Sequence, residues 1–339
     1  MFWRPFGMPS HNYERYQWRP GRQGLYESNY VKANSPDGKR AVWLKHNILA
    51  WKDPKKEPLV ELWCILFTRG EAPQVLKQEI PASRVVLDDD RVGMQGEGIL
   101  FRPNRTATTI TDNGRWASWD IEMEDLDCGP GFVHFPYAGM YEWGFPKKKV
   151  ITSSPLMRWN GILTFRDQEI PIENWIGFRN HNWGTEHAHC YAYGNCNHFP
   201  DAPGVIFDGF SAKIRLGLLK SPYLSMAMIR LGEDDLPMNR LGTVFRSKAN
   251  LRFPRWELQL QNENHKVQII QEGEPVEFSG LPYHHPDGKL SYCYNTKWAR
   301  TTLHIEDAFG KRQRFESDFG ELEFLYPKPL KDVHLYPSK

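Results

Sequence analysis

Between Asn174 and Phe199 the sequence reads NWIGFRNHNWGTEHAHCYAYGNCNHF, with four histidines, two tryptophans and two cysteines in 26 residues. Such residues ligate metals, move protons or pack where sheets meet, and all three roles are open at this point. His187-x-His189 would bring two imidazoles to one face of a strand, with His181 or His198 as a third metal ligand. No carboxylate is spaced to complete a recognised metal signature, so no metal is assigned. Acid chemistry has its first candidate downstream, at Asp208 in VIFDGFSA, a carboxyl among apolar neighbours. An apolar pocket disfavours the charged form of a carboxyl, which is what a proton donor at neutral pH needs. His181 is the second candidate acid, or a relay partner to the first. Trp183, Tyr191 and Tyr193 offer ring faces to a developing cation, worth on the order of 2 kcal/mol each when desolvated.

These side chains need an element to aim them. A strand continuing past Gly184 would put Thr185, His187, His189, Tyr191 and Tyr193 on one face and Glu186, Ala188, Cys190 and Ala192 on the other. Turned toward a barrel lumen, the first set makes a polar and aromatic lining, and Trp183, His187, His189, Tyr191 and Tyr193 are the expected substrate-binding residues. A slip of one residue would reverse every side chain. The bland alternatives are histidines that hydrogen-bond loops at a domain junction, Asp208 as a turn residue before Gly209, and Trp183 as a packing plug.

Elsewhere the period is close to two. In TDNGRWASWDIEM, Asp112-Asn113-Gly114 marks a tight turn, followed by Ala117, Trp119, Ile121 and Met123 on one face. WELQLQNENHKVQII reads as a second hairpin turning at Asn262–His265, and Pro-Asp-Gly-Lys recurs at 36–39 and 286–289 between strand-like runs, a hint of duplication. LVELWCILF, Leu59 to Phe67, has the length of a strand buried on both faces or of a short buried helix. No long segment has helical spacing. The expected fold is therefore all-β, with two tandem antiparallel barrels over residues 20–188 and 189–335.

Composition bounds the partners. In 339 residues, Lys+Arg 43 against Asp+Glu 41 gives no excess of positive charge for a phosphate backbone, and nucleic acid is excluded as the expected partner. No secretory signal or bilayer-spanning run is read, so a soluble cytoplasmic protein is expected. Nothing in the residues fixes an oligomeric state. The five cysteines lack the spacing of a disulfide framework and read as reduced, packed thiols. Thirteen tryptophans are more than core packing asks for and suggest an aromatic-lined cavity. VLDDDRVG is read as a solvated loop, and PKKKV, Pro146 to Val150, as an exposed start of a strand rather than an anion site.

GFRNHNWG, Gly177 to Gly184, resembles the Asp-His-Asn-Trp-Gly-type motif of carotenoid hydratases (hydroxyneurosporene synthases), tocopherol cyclases and their bacterial relatives. FPKKKVITSSPLMRWNGILTF resembles that superfamily's Pro-Lys-x-Lys stretch, LYESNYVKA its opening Glu-x-x-Tyr strand, and YAYGNCNHF its aromatic strand after the motif. The resemblance runs from about Leu25 to the end of the second half. It implies tandem lipocalin-like barrels joined near the motif and a hydrophobic, isoprenoid or polyketide-like ligand. It also implies that His181, Trp183 and Asp208 occupy positions like those the hydratases use. The sequence departs from the pattern at Asn180, where an acid stands, and at Ile206, where an aromatic stands. Hydration or cyclisation of an alkene by proton transfer needs no cofactor, and none is assigned. A carrier with the same cavity and a carbohydrate-active protein are the rival functions; the latter needs an open cleft with paired carboxylates.

Overall fold

A computed structural model describes residues 13–336 apart from 128, 217 and 218. The turn signals place the hairpins as expected. Asp112 pairs with Arg115 across Asn113 (φ 50°) and Gly114 (φ 77°), two left-handed residues that match the twist of the flanking strands. Arg255–Gln261 and His265–Glu272 form the second hairpin, closed by Asn262 N–H on the His265 carbonyl at 3.0 Å. Leu59–Thr68 is a strand.

Two large antiparallel sheets of twelve and ten strands carry the chain. In the first, the opening strand Leu25–Asn34 pairs with the last, Gln168–Gly184, so the meander returns on itself. Its edges, Gln74–Pro81 and Val85–Leu87, are joined by the short turn Ala82–Arg84, and the Gln78 side chain accepts the Thr111 N–H at 2.8 Å across the gap. The second sheet repeats the plan: Cys190–Cys196 pairs with Arg312–Tyr326, and the edges Asp234–Met238 and Lys248–Arg252 are joined by the helix Leu241–Arg246. The result is an all-β, two-barrel lipocalin-like fold. The shared Pro-Asp-Gly-Lys turn is no register mark of this repetition. It joins the first two strands of the first sheet, but in the second it joins Ser279–His284 to Leu290–Asp307, late in the order.

Each barrel is filled by its own side chains. Trp119, Trp159 and Trp175 pack in the first with Phe101 and Phe165, and Tyr16 and Trp18 from the segment before the first strand join them. Trp256 lies at the centre of the second, against Phe207 and beside Gly194. A Cβ on Gly194 would stand 2.7 Å from the Trp256 ring, so the strand carries glycine where the indole crosses it.

The strands between the barrels are buried on both faces. All ten residues of Leu25–Asn34 are buried, with Leu25, Val31 and Ala33 in the first core and Tyr30 turned outward. Cys190–Cys196 does the same, with Ala192 and Cys196 in the second core and Tyr191 and Tyr193 outward. The outward residues meet in a seam of their own, where Tyr30, Trp43, Trp63 and Phe178 pack with Tyr191, Tyr193, Trp298 and Leu325. Polar ties cross it: Asn34 Nδ2 donates to the Lys297 carbonyl at 3.0 Å, and Asn197 Nδ2 to the Gly177 carbonyl at 2.7 Å.

Trp43 is 1% exposed and lies wholly in this seam. Trp43→Ala is expected to cost about 3–5 kcal/mol, as for other large-to-small changes in a packed interior. Urea denaturation followed by circular dichroism measures it. A loss under about 1 kcal/mol would mean that the barrels do not depend on each other through this contact.

Candidate functional site

A cavity of about 170 Å³ lies at the seam and is lined from both barrels. The first barrel contributes Tyr26, Trp43, Lys45 and Lys148 to its wall, and the second Tyr191, Tyr193, Tyr283 and Glu323. His187 and His189 line it from the connector between the sheets. Of the directions the alternation left open, the face with Tyr191 and Tyr193 turns toward the seam. Tyr191 and Tyr193 face away from their own barrel because Ala192 and Cys196, the small residues of the alternation, are the ones its crowded core admits.

The strand also does not run on past Gly184. Gly184 is the last rung, paired with Tyr26 and Lys148, and residues 185–189 cross to the other sheet without strand pairing. His187 and His189 are therefore not successive rungs of one face. His187 stacks on Tyr26 at 3.9 Å and meets His285 edge-on at 4.8 Å, while His198 stacks on Phe319 at 4.3 Å. Burial, then the charge of Lys148, pushes His187 well below the usual imidazole value. Among the described residues no three His, Cys, Asp or Glu side chains converge as a metal site. Cys64, Cys190, Cys196 and Cys293 are buried free thiols, and Cys128 lies outside the described residues.

Asp208 is fully buried one layer behind the cavity wall. Its Oδ2 accepts from Thr152 Oγ1 at 2.7 Å, Tyr193 OH at 2.9 Å and Asn195 Nδ2 at 2.9 Å, and His134 Nε2 stands 3.0 Å from its Oδ1. Tyr193 thus touches the cavity on one side and the carboxyl on the other. Burial, then the negative charges of Asp208 and Glu321, pushes its phenol well above the ordinary value, so it stays a hydroxyl. Asn180 lines the cavity and donates to Thr152 Oγ1 at 3.1 Å and to Tyr193 OH at 3.4 Å. It belongs to the group around Asp208 as a donor.

His181 forms a separate group. Its Nε2 is 2.7 Å from Glu27 Oε1 and its Nδ1 is 2.9 Å from the Tyr13 carbonyl, and Glu27 also accepts the backbone N–H groups of Gln17 and Trp18 at 2.7 Å each. Trp183 stacks on the His181 ring at 4.5 Å and on Tyr13 at 6.1 Å, away from the cavity wall. Only Glu27 of this group reaches the cavity.

Several wall residues escaped the sequence reading. Lys45, 3% exposed, donates to Tyr283 OH at 2.5 Å and lies over the rings of Trp43 (4.4 Å) and Tyr283 (4.2 Å). Burial brings its amine down to about 8. Lys148 lies over the Tyr191 ring at 4.1 Å, and burial lowers its amine too. Burial alone would push Glu323 up, but the charges of Lys148 and Lys45, with hydrogen bonds from Tyr191 and Asn295, hold it below the usual carboxylate value. Pro146–Val150 is thus not an exposed start of a strand as expected. Only Lys147 is outside, paired with Glu186 at 2.6 Å; Lys149 is 5% exposed and donates to the Trp143 carbonyl at 2.9 Å. His134 in GFVHFPY had no motif to flag it.

No known protein family matches the chain, and no curated protein matches it. Likeness appears in solved structures. The crystal structure of CghA with Sch210972 is 11% identical over 91% of this chain and 89% of that one, with a TM-score of 0.56. A protein assigned as AttH from Nitrosomonas europaea is 12% identical over 90% of this chain and 98% of that one, with a TM-score of 0.49. At such identity the first of these shows a shared fold.

The seam's buried amines make a prediction about stability. Lys32 is fully buried, burial brings it down to about 8, and its ammonium has the Phe319 carbonyl at 3.4 Å. Its folded value lies below the unfolded 10.5, so the folded state carries a penalty below pH 8 that fades as pH rises toward 10.5. Lys32→Met is expected to stabilise the protein at pH 7 by about 1–3 kcal/mol and to flatten the rise in stability between pH 8 and 10. Urea midpoints at the two pH values test it, and an equal rise in both proteins would refute it.

Proposed function

We propose that the protein binds a largely apolar small molecule, isoprenoid or polyketide-like, in the seam cavity and performs a cofactor-independent hydration or cyclisation on it. In this reading it belongs with the hydratase-like and cyclase-like tandem lipocalins. The observation that carries the reading is the wall itself, where aromatic rings from both barrels surround a few convergent polar groups and Tyr193 connects the space to a buried carboxyl. CghA, which shares the fold, was solved with Sch210972, and this supports a ligand held by such a barrel pair.

The chemistry follows from that connection. Protonation of an alkene carbon creates a tertiary cation, which water or an internal hydroxyl captures. The step requires Asp208 in its protonated form with the hydrogen bond to Tyr193 reversed: Tyr193 gives its proton to the alkene carbon as it takes one from Asp208, and when an O–H nucleophile captures the cation its proton passes to Tyr193, whose own proton returns to Asp208. Thr152 and Asn195 hold the carboxyl at the phenol, with the His134 ring beside its other oxygen. The rings of Trp43, Tyr191 and Tyr26 line the space in which the cation forms and stabilise it. His181 is the second acid, coupled to the cavity through Glu27.

A non-catalytic carrier is the second reading, favoured by one observation. Asp208 is shielded from the cavity, and its Oδ2 already accepts three donors. Native mass spectrometry of the protein from a terpenoid-rich or polyketide-rich host, followed by denaturing extraction, is expected to release a stoichiometric hydrophobic compound. On that compound, Asp208→Asn and Tyr193→Phe should each slow turnover by about 10²-fold or more with binding retained, the usual weight of general acid catalysis. Binding with no turnover in the wild type would establish the carrier, and a clean apoprotein would overturn both.

A further inference from the structure

A polar row crosses the wall that the first barrel gives to the cavity. Ser28 stands opposite Asn182 on one side and Asn47 on the other, and Asn47 stands opposite Glu61, so four adjacent strands contribute one residue each. All four line the cavity. Among the described residues, Ser28 Oγ, Asn47 Oδ1 and, two residues along the first strand, the Tyr26 hydroxyl are buried without a hydrogen-bond partner, on residues 7%, 9% and 5% exposed. Buried polar atoms are almost always paired, so three unpaired ones on one patch of a cavity wall mark a place for a ligand. The Asn47 amide has its direction set by Glu61, a carboxylate that pairs with Lys77 and only accepts; Nδ2 lies 3.5 Å from Glu61 Oε2, which leaves Oδ1 as the free atom. The charges of the wall are matched among themselves, since Lys148 and Lys45 act on Glu323 and Lys147 pairs with Glu186 at 2.6 Å. What the wall lacks is a neutral hydrogen-bonding partner.

We infer that Ser28 and Asn47 form a hydroxyl-binding subsite, and that the ligand is a neutral alcohol on an apolar body. This rests on the reading of the seam cavity as a ligand site and narrows its substrate class. Side chains directly opposite each other on neighbouring strands stand about 5 Å apart, so one ligand oxygen between them reaches both. An alcohol satisfies the pair: its O–H donates to Asn47 Oδ1, and its oxygen accepts from the Ser28 hydroxyl. A carbonyl or ether oxygen only accepts and leaves Asn47 Oδ1 alone. The subsite also sets which part of the molecule meets Tyr193. The rung of Tyr30 and Asn180 lies two residues further along the strands, about 7 Å away, and Asn180 donates to the Tyr193 hydroxyl at 3.4 Å. The double bond that receives the proton is therefore one remote from the alcohol carbon.

Geraniol and geranyl methyl ether share one terpenoid skeleton, but only the alcohol can donate, so their binding to the full chain at pH 7, measured by calorimetry, tests the assignment. Geraniol is expected to bind at least about tenfold more tightly, the scale of one buried acceptor left unpaired. Asn47→Leu, which removes that acceptor at similar volume, should bring the ratio below about threefold. Ser28→Ala, which removes the donor to either oxygen, should weaken both compounds and keep the ratio. Far-UV circular dichroism checks that both variants are folded. Equal binding of the two compounds by the wild type would overturn the hydroxyl subsite and leave the cavity reading standing. Binding of neither would remove both. A tenfold ratio that persists in folded Asn47→Leu would place the hydroxyl elsewhere and overturn the assignment. If Asn47→Leu does not fold, the wild-type ratio and the loss in Ser28→Ala decide.

Discussion

The constraint on which the rest of this structure depends is that two barrel-forming sheets pack against each other along one wall. A strand in an ordinary barrel keeps one face in the core and gives the other to water. Here Leu25–Asn34 and Cys190–Cys196 have no wet face, because each lies between its own core and the neighbouring barrel. The side chains of the neighbouring strands that face this wall must likewise fill it without solvent. Trp43 and Trp63 do this with area. Lys45 does it with ring faces and a hydroxyl, and Lys297 with Glu321 and the Asn295 amide. The long penultimate strands of both sheets, Lys148–Phe165 and Leu290–Asp307, are interrupted by register shifts near this wall, which lets one strand serve a curved barrel and a flat contact.

From this constraint the site follows. Asp208 lies on the second barrel, but its partners come from both: Tyr193 and Asn195 from its own sheet, Thr152 and His134 from the first. A carboxyl held in this way is fixed only when the barrels are docked. The His181 and Glu27 pair is instead internal to the first barrel and is bound to the segment at Tyr13–Trp18. The two acids read from the sequence therefore differ in kind. One reports the docking of the barrels and the other the seating of the N-terminal segment.

The fold was legible because turn chemistry and alternation are local. Asn113-Gly114 dictates a hairpin whatever surrounds it, and Trp256, Leu258 and Leu260 share a face in any twisted sheet. The site was legible in part. Tyr191 and Tyr193 could be grouped by period, but their direction could not, because the period is silent on which face is core. The residue volumes did hold that information, since Ala192 and Gly194 are too small to be the outward partners of bulky neighbours and Trp256 needs the space. Lys45, Lys148 and His134 were missed for a different reason. Each is placed by a contact with a distant part of the chain, Lys45 with Tyr283, Lys148 with Tyr191 and His134 with Asp208, and no local pattern encodes such a meeting.

The space between the barrels stays open for a physical reason. Dense packing would normally close a gap of this size, since side chains gain dispersion energy by filling it. In this seam the groups at the wall are held by fixed partners. Tyr193 is bound to Asp208, Tyr191 to Glu323, and Lys45 to Tyr283, so none can lean inward without leaving a buried polar atom alone. The polar network that makes the interface costly to assemble is what prevents its collapse. A cavity kept open by hydrogen bonds rather than by empty apolar walls has its polar groups already oriented before anything enters, and this preorganisation is what a binding or proton-transfer site requires.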